Sequence, residues 1–303
     1  MQNELRRACD SQEWSLISEI EPSSVGCALC PASEERTEEK CRIENTKGKW
    51  EARCITDPYP FTHPSMFKSK VDGFCKSFSA HGWSEIVVET REHTKEFHEL
   101  SPEEIKNVLL VYQKRIAELK TRENVEFIGI IKDNMQVEFS HAYSKLFTLP
   151  IVPEYTKEKI VSFNDYKFKN EKCLYCDILS NESASPRLVF ENENFSVFAP
   201  FSQKNANETW IVPKKHVSCI TELNEFEIFS LAETIKNLLT RFSVISNPFR
   251  YGMVYHMKPK NESDFHFHIE VFQKTIPSSL KEGYSINLCK ITPENTAKML
   301  RGK

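Results

Sequence analysis

The feature of this 303-residue chain that most constrains its fold is an internal repeat, because a repeated unit has to build the same local structure twice. Each half begins with a Cys-x-x-Cys pair, continues with a glutamate eight positions before a histidine, and reaches a second histidine roughly 50 residues later. The repeat predicts two units, at 1–160 and 161–303, joined within the polar stretch 150–172. The matched positions are Cys27 and Cys30 with Cys173 and Cys176, Glu85 with Glu208, His93 with His216, and His141 with His266.

An amphipathic helix is predicted after the first histidine of each half. In the first helix, Ser101 is the expected N-cap and Glu104 closes a capping box. The second helix is predicted from about 225 to 242. A strand is expected after each helix, near 125–131 and 250–256. Strands, helix and strands in each half predict an α+β fold with mainly antiparallel sheet and packed helices.

The repeated cysteines and histidines indicate zinc. Zinc prefers four tetrahedral nitrogen and sulfur ligands, and a Cys-x-x-Cys pair supplies two of them from one turn. A lone pair of this kind is also typical of unligated or redox-active thiols, and a lone histidine is most often an ordinary residue. Repetition of all four positions favours two zinc ions per chain. The predicted ligands are Cys27, Cys30, His93 and His141 in one site and Cys173, Cys176, His216 and His266 in the other.

The ten cysteines also bear on the cellular compartment in which the protein is expected. The polar, charged start at 1–10 is unlike a secretory signal, so a cytoplasmic location with thiols rather than disulfides is expected. Six cysteines have no counterpart in the repeat and are predicted only to pack, and four histidines are interpreted as ordinary residues. These are Cys9, Cys41, Cys54, Cys75, Cys219 and Cys289, with His63, His81, His98 and His256.

Charge and hydropathy limit the kinds of binding partner that are expected. The net charge is −3 and the basic residues are scattered, so neither nucleic acid nor an anionic membrane surface is expected as a partner. No run of 18 apolar residues occurs, and no transmembrane helix is predicted.

A second chemical pattern follows the last histidine of the repeat. His266, His268 and Glu270 alternate along a predicted strand, so their side chains share one face. Such an array suits phosphorus chemistry, because a metal can hold one histidine while the next presents a ring nitrogen to a phosphate as nucleophile.

These residues resemble the galactose-1-phosphate uridylyltransferase family across almost the whole chain. The resemblance implies a duplicated histidine-triad fold, commonly a homodimer, and a reaction in which a histidine attacks the α-phosphorus of UDP-glucose. A uridylyl-histidine then passes its nucleotide to a hexose 1-phosphate. Relatives with the same two-zinc pattern act on ADP-sugars. The motifs are Cys27-Ala-Leu-Cys30-Pro31, Trp50-Glu-Ala-Arg53, 85–93, His141-x-x-Ser144, 149–153, Cys173-x-x-Cys176-Asp177, Pro200-Phe201, Glu208-Thr-Trp210, His216, Phe265-His-Phe-His-Ile-Glu270, Pro293-Glu294 and 296–301.

The nucleophile position departs from the family. The family motif His-Pro-His-x-Gln reads His141-Ala-Tyr143-Ser-Lys145 here, and the internal repeat pairs Tyr143 with His268. The resemblance gives the second histidine as nucleophile and the glutamine as phosphate support. A tyrosine hydroxyl, with an ordinary pKa of about 10, is mostly protonated at neutral pH. Tyr143 is therefore not an equivalent replacement.

The phosphate loop departs as well. The family's Gly-x-Ser falls on Gln136 and Glu138, where a carboxylate would repel an anionic substrate. The family's arginine-rich stretch before the first cysteine pair has no arginine at 20–26. Only 8 glycines occur in the chain, and phosphate-wrapping loops usually need them.

Three functions remain open. The first is a catalytically impaired or dead relative that retains binding of a nucleotide sugar, a sugar phosphate or a partner. The second is an active nucleotidyltransferase or phosphorylase that moves UMP or AMP, through His268. The third is a zinc-stabilised scaffold. The candidate ligand-binding residues are Arg53, Asp57, Lys145, His268 and Glu270.

Overall fold

The computed structural model describes residues 3–18, 27–134, 141–246, 249–276 and 278–302. The strands are, in chain order, β1 (Glu4–Arg7), β2 (Trp14–Ile17), β3 (Glu39–Glu44), β4 (Trp50–Thr56), β5 (Ser69–Asp72), β6 (Cys75–Ser79), β7 (Ser84–Val88), β8 (Phe127–Asp133), β9 (Tyr143–Leu149), β10 (Leu188–Glu191), β11 (Phe195–Phe198), β12 (Thr209–Pro213), β13 (Tyr251–His256) and β14 (His268–Gln273). The α-helices are α1 (Pro102–Leu119), α2 (Glu154–Asn170), α3 (Leu174–Glu182), α4 (Glu225–Ile245), α5 (Ser279–Tyr284) and α6 (Pro293–Leu300).

Ten strands form one antiparallel sheet in which the duplication is directly visible. The strand order is β10-β11-β12-β14-β13-β8-β9-β7-β4-β3. Each half contributes five strands to this sheet. From the sheet edge towards the centre, they are the first, second, third, fifth and fourth of those five in chain order. This repeated order confirms the predicted α+β class and the duplicated unit.

The two halves meet at the centre of this sheet. Strand β13 pairs antiparallel with β8, where Val254 lies opposite Ile131 and Tyr255 lies opposite Ile130. The sheet is therefore continuous from one half to the other. The predicted boundary between 160 and 161 falls within helix α2.

One face of the sheet carries α1 and α4, side by side. Their apolar stripes pack on the sheet as one core, which includes Tyr112 and Ile116 from α1 and Leu231 and Leu238 from α4. Burial of these stripes is the main force that holds the helices in place. The helices begin as the sequence predicts, within a residue or two, and α4 extends to Ile245.

Both long helices start with a capping box. The Ser101 side chain accepts the Glu104 N–H at 3.3 Å, and the Ser101 N–H donates to the Glu104 carboxylate at 2.8 Å. Asn224 and Glu227 make the same two bonds, at 2.9 and 2.8 Å. Each box satisfies backbone donors that a helix start leaves unpaired.

A separate four-stranded sheet, in the order β2-β1-β6-β5, belongs to the N-terminal half. Cys9 and Cys75 form a disulfide beside it, with their Cα atoms 5.4 Å apart. The expectation that these two cysteines are thiols that only pack is therefore wrong. The repeat did not reveal the disulfide, because Cys9 and Cys75 are brought together by the pairing of β1 with β6. No local sequence pattern indicated that pairing.

The opposite face of the large sheet carries the metal-ligand candidates. In the C-terminal half it is covered by α2 and α3, where Ile160 and Phe163 pack with Tyr175. The polar junction at 150–172 is thus mostly helix. Within the residues that the structure describes, no helix is long and apolar enough to cross a membrane.

Candidate functional site

The first group of predicted metal ligands comes together at the end of β9. The Sγ atoms of Cys27 and Cys30 each lie 3.8 Å from Nδ1 of His141, and Cys30 Sγ lies 3.2 Å from Nδ1 of His93. The Nε2 atom of His141 is 2.8 Å from the Thr90 carbonyl oxygen. That contact fixes the ring so that Nδ1 faces the sulfur atoms.

The second group repeats this geometry in the C-terminal half. Nδ1 of His266 lies 3.4 Å from Cys173 Sγ and 3.7 Å from Cys176 Sγ, and Nδ1 of His216 lies 3.7 Å from Cys176 Sγ. Nε2 of His266 faces the Pro213 carbonyl oxygen at 3.0 Å. The buried histidine of each site is thus oriented by a backbone carbonyl in the same way.

The donor sets and distances of both groups fit zinc. Zn–S bonds of about 2.3 Å and Zn–N bonds of about 2.0 Å at a tetrahedral angle place sulfur and nitrogen about 3.5 Å apart. In each group the four ligand atoms lie within 4.8 Å of one another. Burial lowers the pKa of His141, and it lowers that of His266 to about 4, so both rings are neutral and able to bind a metal.

Tyr143, at the expected nucleophile position, is buried in the N-terminal half. It is the first residue of β9 and lies two residues after His141, so both side chains lie on the face of the sheet opposite α1. Its ring is 2% exposed and packs with Leu29, Trp50 and Val88. The phenol therefore belongs to a small apolar cluster beside the first metal group.

Lys145, two residues further along β9, is fully buried and ion-paired. Its Nζ lies 3.4 Å from the Asp57 carboxylate and 4.2 Å from the centre of the Phe61 ring. Arg53 is also fully buried, and its guanidinium donates to the Leu29 carbonyl at 3.3 Å. The three candidate ligand-binding residues of this half thus contact protein groups.

The corresponding positions in the C-terminal half carry opposite chemistry. His268 and Glu270 occupy the places of Tyr143 and Lys145, and Lys159 from α2 reaches both of them. Lys159 Nζ is 2.7 Å from His268 Nε2 and 2.6 Å from the Glu270 carboxylate. Nδ1 of His268 lies 2.9 Å from the His266 carbonyl oxygen.

Charge and burial set the protonation states of this cluster. Burial alone would raise the pKa of Glu270, but His256 and Lys159 hold it well below its ordinary value. Burial holds the pKa of His268 well below its ordinary value, and Lys159 adds to the shift. His268 is therefore neutral, with Nδ1–H donated to the carbonyl and the Nε2 lone pair facing Lys159.

Three residues of this cluster were not expected from the sequence. His256 was interpreted as ordinary, yet its Nε2 lies 3.2 Å from the Glu270 carboxylate. Lys159 and Tyr155 are four residues apart on α2, and the Tyr155 hydroxyl donates to Glu270 at 3.0 Å. The sequence alone indicated only a polar junction at 150–172, so the i, i+4 spacing of Tyr155 and Lys159 became informative only once the structure showed a helix there.

One match in the repeat is wrong in register. Glu85 faces α1, where it accepts two bonds from Arg115 at 2.7 and 2.8 Å. Glu208 faces the other side of the sheet and accepts a bond from Trp210 Nε1 at 3.0 Å. Strand pairing makes Ile86, not Val87, the counterpart of Trp210. A one-residue slip moves every side chain to the opposite face.

The phosphate-loop expectations concern positions outside the described residues. Gln136, Glu138 and the stretch 20–26 all lie there. The predicted loss of loop glycines and of the arginine-rich stretch therefore stays a prediction.

The fold and site define a class of protein: two copies of one α+β unit that share a ten-stranded antiparallel sheet, with a Cys₂His₂ group in each half. Residues 159–301 match the family described as galactose-1-phosphate uridyl transferase, C-terminal domain. A solved uridylyltransferase structure superposes with a TM-score of 0.87 at 25% identity, covering 99% of this chain and 97% of that one.

Two relatives extend this match to the whole chain. The galactose-1-phosphate uridylyltransferase of Thermotoga maritima is 24% identical, with 98% of both chains covered. The ADP-glucose phosphorylase of Arabidopsis thaliana is 22% identical, covering 92% of this chain and 82% of the relative. The chain is therefore similar to galactose-1-phosphate uridylyltransferases over its whole length, and Tyr143 stands where the resemblance gives their motif a nucleophilic histidine.

Proposed function

We propose that this protein is a two-zinc member of its family whose N-terminal half has lost nucleotidyl transfer, and which still binds a nucleotide sugar or a sugar phosphate. The observation that carries the proposal is Tyr143, buried at the nucleophile position. A phenol with an ordinary pKa of about 10 offers little nucleophile at neutral pH. Lys145, at the position of the supporting glutamine, is engaged by Asp57.

The zinc ions belong to the proposed function as structural groups. Each would be held by the two cysteines and two histidines of one half, a closed set without an open coordination position. When bound, zinc stabilises the thiolate forms of the cysteines and couples the Cys-x-x-Cys segment to the sheet. This chain's own residues orient the ligands, through the Thr90 and Pro213 carbonyls.

The ligand class follows from the relatives. Their names specify a galactose-1-phosphate uridylyltransferase and an ADP-glucose phosphorylase, so a nucleotide sugar or sugar phosphate is the proposed ligand here. The resemblance also supports a homodimer. Exposed apolar side chains near the C-terminal end, Ile276 at 95% and Tyr284 at 77%, support contact with a second copy.

Turnover assays test the loss of transfer. The protein is supplied with UDP-glucose plus galactose 1-phosphate, and separately with ADP-glucose plus inorganic phosphate. We expect product formation at the no-protein background for the wild type and for Tyr143→His, because an imidazole alone does not restore the supporting glutamine. Wild-type turnover that disappears in Tyr143→Phe would contradict the proposal. Zinc content and thermal unfolding, measured on each variant, show that it is folded.

A second candidate, nucleotidyl transfer through His268, is favoured by one observation. The Nδ1–H is held by the His266 carbonyl, so Nε2 is the unprotonated ring nitrogen, which is the tautomer that a histidine nucleophile needs once Nε2 is released from Lys159. In this reaction Nε2 forms a bond to the α-phosphorus, and the sugar 1-phosphate leaves. The acceptor then takes the nucleotide and frees the ring. Wild-type turnover that His268→Asn abolishes and Tyr143→Phe leaves intact would favour this candidate.

A further inference from the structure

A cavity of about 410 Å³ opens in the C-terminal half, away from the N-terminal nucleophile position. It lies between α2, α3 and the segment that enters β12. Its walls include the aromatic rings of Tyr175, Phe198, Phe201 and Trp210, with lysines at one end. Ligand pockets typically measure about 300–1,000 Å³ and combine apolar walls with a few polar groups.

The aromatic wall is held in place by the fold. Trp210 is anchored through Nε1, which donates to Glu208 at 3.0 Å, and its ring centre lies 6.1 Å from that of Tyr175. Phe201 is 79% exposed at the rim, with the Arg187 guanidinium 5.4 Å from its centre. Aromatic rings on an open cavity offer a stacking surface for a flat aromatic ligand.

Lys159 and Lys204 supply positive charge at one end of the cavity. Glu270 accepts a bond from Lys159, whereas Lys204 Nζ donates to the Tyr155 hydroxyl and lies 3.6 Å from that ring's centre. In the described ranges, no carboxylate lies within 4.0 Å of Lys204 Nζ. Burial lowers the pKa of Lys204, as expected for an ammonium group without a close counter-ion.

The carboxylates around the cavity leave this end open to an anion. Glu208 is turned towards the backbone N–H groups of Lys204 and Asn205 and towards Trp210. Glu182, on the wall, is neutralised by Arg187 at 2.8 Å. Glu158 is exposed at the rim and is the remaining acidic side chain that lines the cavity.

We propose that this cavity binds a nucleoside phosphate, with the base stacked on Trp210 and Phe201 and the phosphate at Lys204. The N-terminal half differs at this wall, because strand pairing places Ile86 at the position of Trp210. The inference deepens the proposed function and rests on its claim that ligand binding is retained. It locates that binding in the C-terminal half.

Calorimetric titration of the zinc-loaded protein tests the inference, with AMP and UMP as probes and adenosine and inorganic phosphate as partial ligands. We expect AMP or UMP to bind, and Lys204→Met to weaken that binding about tenfold or more while adenosine binding changes less than about twofold. Trp210→Leu weakens both AMP and adenosine about tenfold, within the range of base–aromatic stacking. Trp210→Phe keeps a ring and retains binding within about threefold.

The matched control is Lys214→Met, which removes a surface lysine paired with Glu191 and leaves nucleotide binding unchanged. Nucleotide binding that persists in Lys204→Met and Trp210→Leu overturns the site but leaves the proposed function standing. Binding of phosphate with no preference for the nucleotide overturns the nucleoside part. The absence of binding by AMP and UMP overturns the inference, whereas N-terminal turnover contradicts the proposed function separately.

Discussion

The two halves share their metal groups and differ just beyond them. Both place two cysteines and two histidines at the same positions of the same strand order. Two and four residues past the buried histidine, the N-terminal half has Tyr143 and Lys145, whereas the C-terminal half has His268 and Glu270. The candidate metal groups are the same in both halves, whereas the two positions that follow them along the strand differ.

The divergence is also a reversal of buried charge. Lys145 pairs with Asp57 at 3.4 Å, and Glu270 pairs with Lys159 at 2.6 Å. Each buried charge is paired with an opposite charge from a neighbouring segment, because burying an unpaired charge is energetically costly. The corresponding positions on β9 and β14 therefore carry opposite charges, and each charge has its own partner.

Removal of one metal ligand is expected to have the largest effect. Cys30→Ser or Cys176→Ser should each lower the zinc content from two to one per chain. Each should also lower the free energy of unfolding by about 5 kcal/mol, because metal binding is coupled to folding. Elemental analysis and thermal unfolding measure both quantities.

The control for the ligand changes is Cys289→Ser. The Cys289 thiol donates to the Gln203 carbonyl at 3.2 Å, a bond that a serine hydroxyl can also make. It should keep both zinc ions. A wild-type protein with well under two zinc ions per chain would contradict the claim that both halves bind zinc. A loss of zinc and stability on cysteine substitution in one half alone would contradict it as well.

The second-largest effect is expected from removal of one residue of a buried ion pair. Lys159→Met and Lys145→Met should each cost about 3–5 kcal/mol, because each removes the lysine partner of a buried carboxylate. Denaturant unfolding in double-mutant cycles, with Glu270→Leu and Asp57→Leu, measures the coupling. We expect stronger coupling for the shorter C-terminal pair.

The exposed Lys157–Glu154 pair provides the control for that series. Its atoms are 3.1 Å apart at the surface, so Lys157→Met should cost at most about 1 kcal/mol. Equal small losses at all three pairs would show that the buried pairs do not distinguish the halves.

Loss of a helix cap should have the smallest effect, and the same effect in both halves. Ser101→Ala and Asn224→Ala should each cost about 1 kcal/mol, since each removes the acceptor of one capping-box bond. Equilibrium unfolding measures the change. Ser101→Asp and Asn224→Asp keep an acceptor and serve as controls, and a cap loss without effect in one half would separate the two helices energetically.

Local patterns predicted the duplicated architecture well. The capping boxes, the helical periodicity and the Cys-x-x-Cys spacing each act over a few residues, so the sequence displays them directly. The strand order, the one-residue slip between Glu85 and Glu208, and the Cys9–Cys75 disulfide depend on pairing between distant segments. The latter two differ from the sequence-based expectation for that reason.

The candidate site was predicted in part. The eight metal ligands come together as the repeat predicts, whereas the contacts of Lys159, Tyr155 and Lys204 depend on how α2 and the segment before β12 pack against β14. His256 has no matching histidine in the N-terminal half, so the repeat did not indicate it as a site residue. It lies near His268 only because β13 pairs with β14.

The central claim is that the N-terminal half no longer carries the nucleotide during transfer. Peptide mapping by mass spectrometry, after incubation with isotope-labelled UDP-glucose or ADP-glucose, tests it most directly. We predict that the peptide containing Tyr143 carries no nucleotide, in the wild type and in His268→Asn alike. A uridylyl or adenylyl group on Tyr143, or on another residue of that strand, would contradict the account.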